Sequence, residues 1–205
     1  MKFRRRSAPQ APAPEPGASE APPPTTGPYD ESEVAGDGVQ RVDLGSLLIA
    51  PGEGRELRLQ VDELSGSVRS VMLAGPEGAL ELQAFAAPRG GDLWGTVRPQ
   101  IAADITRRGG TATEREGRFG TELVCQVPVQ RADGTAATQP SRILGVNGSR
   151  WMLRASLLGR PALDADSSTE WEEALAQVVV RRGEGAMPVG EPLPVKLPDD
   201  ARRIS

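Results

Sequence analysis

Histidine is absent from all 205 residues. With it go the usual general base near neutral pH, Ser-His-Asp and Cys-His nucleophile systems, and zinc sites built on imidazole. Cysteine occurs once, as Cys125, which excludes an intramolecular disulfide and any thiolate cluster. Lysine and arginine together number 24, yet only Lys2 and Lys196 are lysine. Ser-Lys chemistry would therefore depend on a residue near one end or the other. Aromatic residues make up 3% and hydrophobic residues 38%, a low apolar share that puts part of the chain outside the core. No apolar run approaches the ~20 residues a bilayer-spanning helix needs. The basic start Arg4-Arg5-Arg6 is followed by no apolar stretch of the kind a secretory signal carries. These absences set the expectation of a cytoplasmic protein with no membrane span. The net charge of -4, with no basic stripe beyond the first six residues, weighs against nucleic acid as a partner, because non-specific affinity comes from neutralised phosphates.

What is present divides into three parts. Residues 1–39 read as a disordered tail: "SAPQAPAPEPGASEAPPPTTGP" has no periodic apolar residues to offset its ordering entropy, and Asp30, Glu31, Glu33 and Asp37 follow as a solvated acidic entry. Residues 40–197 read as one domain, and 198–205 as a frayed end. Within the domain, "RELRLQVDE" alternates Leu57, Leu59 and Val61 with polar neighbours, as a half-buried strand does. "SVRSVMLAG" and "GALELQAFAA" flank the turn Gly75-Pro76-Glu77-Gly78 and are expected to pair as a hairpin. "LGSLLIAP" before them is either a short strand or a docking segment.

A helix is expected over 92–108, with Asp92 as N-cap and Trp94, Val97, Ile101 and Ile105 on one face. Pro99 predicts a kink or a later start, since it removes a backbone donor. "RFGTELVCQVPVQ" places Phe119, Leu123, Cys125 and Val127 on one strand face, with Cys125 as a small core residue. "SRILGV" and "RWMLRASLLG" straddle Asn147-Gly148, a dipeptide that predicts a type I′ turn with both residues at positive φ. Trp151, Leu153, Ala155 and Leu157 then face one way, and Arg150, Met152, Arg154 and Ser156 the other. A second helix is expected over 169–182, opened by a Thr169–Glu172 capping box and carrying Trp171, Leu175 and Val178. The Pro-rich close, "MPVGEPLPVKLP", is expected to lie extended along the domain. Together these give an α+β domain: an antiparallel sheet of six to seven strands with two helices packed on it, in the order βββ-α-ββββ-α.

Little of this carries chemistry. "RGGDLWG" offers a helix N-terminus but lacks the lysine of a phosphate loop and the spacing of a dinucleotide fingerprint. Of the carboxylate pairs Glu114/Glu116 and Glu170/Glu172, the first reads as a solvated strand edge, and no residues stand out as catalytic, cofactor-binding or metal-ligating. Arginine remains. Arg98 on the first helix and Arg150 and Arg154 on the hairpin are the candidate binding surface, where guanidinium forks would meet an anionic ligand or a partner's carboxylate.

The segments "FAAPRGGDLWGTVRPQIAADITRRGG", "GRFGTELVCQVPV", "RILGVNGSRWMLRASLLG" and "MPVGEPLPVKLP" resemble, as a set, an uncharacterised actinobacterial family known as domain of unknown function 3710. The resemblance implies neither an activity nor a site residue. The expectation from the residues is a non-enzymatic interaction module that binds a protein or small anionic ligand without a cofactor. The alternatives are a metal-dependent hydrolase or transferase using Asp/Glu, and a weakly nucleic-acid-associated protein.

Overall fold

The computed structural model describes residues 27–131 and 133–197. Most of the expected tail, 1–26, and the expected frayed end, 198–205, lie outside the described residues.

Seven strands make the main sheet: β4 (Glu56–Val61), β5 (Val68–Ala74), β6 (Gly78–Ala86), β7 (Thr111–Gly117), β8 (Gly120–Gln130), β9 (Ala136–Asn147) and β10 (Trp151–Gly159). Their spatial order is β4-β5-β6-β10-β9-β8-β7, antiparallel throughout. Helix α1 (Leu93–Arg107) intervenes between β6 and β7, and α2 (Ala165–Ala176) follows β10. This is the α+β order expected from the sequence, βββ-α-ββββ-α. A second sheet joins it, built from β1 (Tyr29–Asp30), β2 (Val42–Asp43), β3 (Leu47–Ile49) and β11 (Val179–Val180) in the order β1-β11-β3-β2.

The second sheet corrects the N-terminal boundary, because the fold takes in residues assigned to the tail. Tyr29–Asp30 pairs in parallel with Val179–Val180. The acidic entry is also engaged rather than solvated. Asp30 accepts from Trp151 Nε1 and Ser149 Oγ, both at 3.0 Å, Glu31 accepts from Arg181 at 2.7 Å, and Asp37 pairs with Arg41 at 2.8 Å. Long-range partners, invisible to composition, turn Asp30 and Glu31 into anchors, while Asp37 is held by a local pair.

Helix α1 opens where expected. Asp92 Oδ1 accepts from Gly95 N at 2.7 Å, and Asn147 Oδ1 accepts from Trp94 N at 3.1 Å. The helix runs on through Pro99 without a later start, its first turn held by buried Leu93 and Trp94. The second helix differs from expectation at both ends. Asp164 caps it, accepting from Asp166 N and Ser167 N, so it begins four residues before the expected capping box. It stops at Ala176, because the β-branched run Val178–Val180 favours extended backbone and supplies β11 to the small sheet.

The Asn147-Gly148 turn is also not the expected type. Neither residue has positive φ. Met152 pairs with Asn147, leaving four residues in the loop, and Gly148 N donates to Trp151 O at 2.8 Å. Gly148 is required for space instead: a Cβ there would lie 2.0 Å from the Trp151 indole. Phe119 departs from its expected face as well. It sits in the turn between β7 and β8 and packs with the core beneath α2, while Leu123 and Cys125 pack beneath α1.

Strand alternation gives the main sheet two apolar faces. One face carries Leu80, Leu82, Leu144, Trp151, Leu153 and Leu157 and is sealed by Trp171 and Leu175 of α2 and by Leu44, Leu47 and Val180 of the small sheet. Each large side chain buried there stabilises the fold by about 1.5–3 kcal/mol. The other face carries Leu123, Cys125 and Met152 under Leu93, Trp94 and Ile105 of α1. The close of the chain runs along the edge of β6 that β5 leaves unpaired. Gly190 N donates to Ala86 O, Glu191 O accepts from Ala86 N, and Leu193 N donates to Ala84 O, each at 2.8 Å. Lys196 N then donates to Leu44 O, also at 2.8 Å, tying this strap to the small sheet.

Candidate functional site

On the α1 face, one row of the sheet runs Leu123–Ile143–Ser156–Glu81–Met72–Arg58 through successive strand pairings. Helix α1 packs over the β7–β9 end of that face. Beside it lies a groove of about 460 Å³, floored by Phe85, Ile143 and Met152, walled by Val97 and Ile101 of α1, and reached by Gly190 of the strap. This lies within the range of about 300–1,000 Å³ common for small-ligand sites.

One of the three arginines expected to form a binding surface lines the groove. Arg154 reaches it because β10 alternation sends Met152, Arg154 and Ser156 to this face. Its guanidinium lies over the Phe85 ring at 5.3 Å and donates to Gln83 Oε1. No carboxylate among the described residues lies within ion-pairing distance of it. Burial pulls its pKa below the ordinary arginine value, and the nearby charge of Glu81 only partly offsets this. The other two arginines have partners outside the groove. Arg98 Nε donates to Glu114 at 2.9 Å, toward the edge strand β7, and Arg150 Nη2 donates to Gly183 O at 3.1 Å.

The remaining sequence candidates have structural roles. The N–H groups that open α1 are taken by Asp92 and Asn147, so "RGGDLWG" is a capped loop. Glu116 accepts from Thr121 Oγ1 at 2.6 Å, and Glu170 lies 3.8 Å from Arg55. Cys125 is fully buried, and burial raises its thiol to about 11. Among the described residues no group of three His, Cys, Asp or Glu is placed to hold a metal ion. A larger surface depression, about 540 Å³, lies beside the β4–β5 end of the sheet. Its cations already have partners: Arg55 lies over Trp171 at 5.1 Å, and Arg58 pairs with Glu56 at 2.7 Å.

Two features escaped the sequence reading. Phe85 and Gln83, the neighbours of Arg154, belong to the alternate set Glu81, Gln83, Phe85 on β6. A phenylalanine among polar residues there was the available sign that this face is partly covered. The second is a buried charge network on the opposite face. Glu122 takes Arg142 Nε at 3.1 Å and Nη2 at 2.9 Å, plus Arg115 Nη2 at 2.5 Å. Arg142 also reaches Glu172 of α2 at 2.8 Å. Burial alone would lower the Arg142 pKa, but the hydrogen bonds and charges of Glu122 and Glu172 carry it above the ordinary value.

Residues 27–203 match the family model described as "Protein of unknown function (DUF3710)". The chain belongs to this family. Among curated proteins none matches the chain. A crystal structure from Bacteroides thetaiotaomicron VPI-5482 is similar at 16% identity and a TM-score of 0.40. The alignment covers 69% of this DUF3710 chain but 47% of the Bacteroides protein, so the chain spans less than half of that protein's length. At these values the likeness says nothing of function.

Proposed function

We propose that this DUF3710 protein is a non-catalytic binding module whose ligand is small and anionic and enters the groove beside α1. The observation that carries this reading is Arg154: a largely desolvated cation over an aromatic ring, with one amide partner and no ion pair among the described residues. A buried charge is costly unless it is paired, and an anion arriving from solvent would supply the pair. The apolar floor and wall would strengthen that attraction by excluding water.

The other two readings have less behind them. Metal-dependent hydrolysis needs converging oxygen ligands, whereas the carboxylates nearest the groove have other tasks, such as Asp104, which holds Arg107 at 3.3 Å and Arg108. Nucleic-acid binding needs one continuous cationic face, whereas Arg98, Arg118 and Arg181 are each committed to carboxylates on different elements. The test is native mass spectrometry of gently purified protein beside a groove-filling Ile101→Trp variant. A small-molecule adduct on the wild type that the folded variant lacks supports the reading. Absence of any adduct, together with an unchanged Tm across a panel of small organic anions, sinks it.

A further inference from the structure

The groove is specific enough in its chemistry to name a ligand class, an inference that rests on the binding reading above. We infer that the ligand is an amphipathic monocarboxylate, its head on the Arg154 guanidinium and its apolar body lying between Phe85 and Met152 of the sheet and Val97 and Ile101 of α1.

The single negative charge follows from a charge count within the lining. Two arginines border the groove, Arg108 and Arg154. Arg108 is already paired with Asp104 on its own helix. Of these two, Arg154 alone makes no ion pair with a described residue, so the site neutralises one charge. A phosphate monoester, carrying nearly two charges at neutral pH, would leave a second one uncompensated, with Asp104 and Glu81 already nearby. A guanidinium fork also matches the two oxygens of a carboxylate in plane.

The apolar body follows from the rest of the lining. Phe85, Val97, Ile101 and Ile143 are only partly covered, while Met152, itself buried, lies at the groove floor, and a purely polar anion would leave the partly covered side chains facing water. Arg154 also stacks on Phe85, so head site and body site share a wall. Among the lining groups, Met152 is the adaptable one. Its flexible thioether can repack around bodies of different shape, so selectivity is expected to lie more in the head group than in the tail.

The experiment is calorimetric titration of the full chain with octanoate, 1-octanol and inorganic phosphate, repeated on Arg154→Met. Thermal unfolding first establishes that the variant is folded. The expected result is saturable octanoate binding at least tenfold tighter than octanol, and no binding of phosphate. In Arg154→Met, octanoate should weaken at least tenfold while octanol is unchanged or tighter. Equal affinities for octanoate and octanol, or an octanoate affinity that ignores the Arg154 change, would overturn the monocarboxylate assignment while leaving an apolar binding groove in place. Tight phosphate binding would overturn it in favour of a polar anion. If no probe binds but the Ile101-sensitive adduct is present, the ligand class is wrong and the binding reading stands. If the adduct is missing too, both fall.

Discussion

Arg142 and Arg154 sit on neighbouring strands of one sheet and point to opposite faces. Arg142 is 5% exposed and meets two carboxylates. Arg154 meets an amide and a ring. The difference reflects what covers each face. Helix α2 and the small sheet cover the side where Arg142 lies, so its charge must be satisfied from within, and Glu122 and Glu172 do so. Helix α1 covers only part of the other side, so Arg154 can remain unpaired next to a space a solute can enter. A buried pair fastens α2 to β8 and β9, and an unpaired cation beside a groove leaves an interaction open.

The largest expected effect separates these two roles directly. Glu122→Ala removes two of the charged hydrogen bonds on buried Arg142 and leaves Glu172 as its remaining carboxylate, and should destabilise the protein by at least about 2 kcal/mol in urea unfolding. Arg154→Met on the other face replaces a desolvated cation with an apolar chain and should change stability by less than about 1 kcal/mol, in either direction. Equal losses in the two variants would dissolve the distinction.

Gly145→Ala sharpens the contrast from the α1 side. Its Cβ would fall 2.3 Å from the Trp94 ring, and overpacking of this kind costs about 1–3 kcal/mol. Because Trp94 anchors the start of α1, Trp94 fluorescence and ligand affinity should change together, while the Arg142 network is untouched. A stability loss without any change at Trp94 would place the strain elsewhere.

A smaller effect concerns pH. Burial raises the Asp30 carboxyl, but donors from Trp151, Ser32 and Ser149 outweigh it and hold the pKa below its ordinary 3.8. A depressed folded-state pKa adds stability above the unfolded value and loses it as pH falls through the folded one. The wild type should therefore lose stability with acid below about pH 4 more steeply than Asp30→Asn, the gap closing at the lowest pH. Parallel acid profiles would show that Asp30 contributes nothing by its charge.

The smallest signal expected is near-silence at Cys125. A thiol raised to about 11 and fully buried should resist alkylation at pH 8 until the protein opens. If labelling proceeds at the rate of an exposed thiol, α1 lifts from the sheet far more often than its packing implies.

Much of the main sheet was legible because its strands are long enough to show alternation. The β5–β6 hairpin and the two-faced β10 follow from side-chain period alone, and α1 follows from Asp92 and the spacing of Trp94, Val97, Ile101 and Ile105. The small sheet was not legible. Its strands are two or three residues long, too short for any period, and one pairing joins Tyr29 to Val179 across nearly the whole chain. The site was half legible. Arg98, Arg150 and Arg154 look alike in sequence, and what separates them is non-local: Glu114 claims the first and Gly183 O the second. Glu122 alternates with Leu123 and falls on the opposite strand face, and strand alternation cannot reveal that α2 covers that face.

The strap along β6 also bears on how the protein is made. A chain emerges from the ribosome N-terminus first, at about 5–20 residues per second. β6 is therefore made long before residues 190–193, which complete its edge, and β1 is made long before its partner β11. Until those later residues emerge, the nascent chain displays an open strand edge and an unfinished small sheet. Edges of this kind invite pairing with other chains. A polysome translating this protein holds many such edges close together, so the interval before residues 190–193 emerge is when wrong partners have their best opportunity.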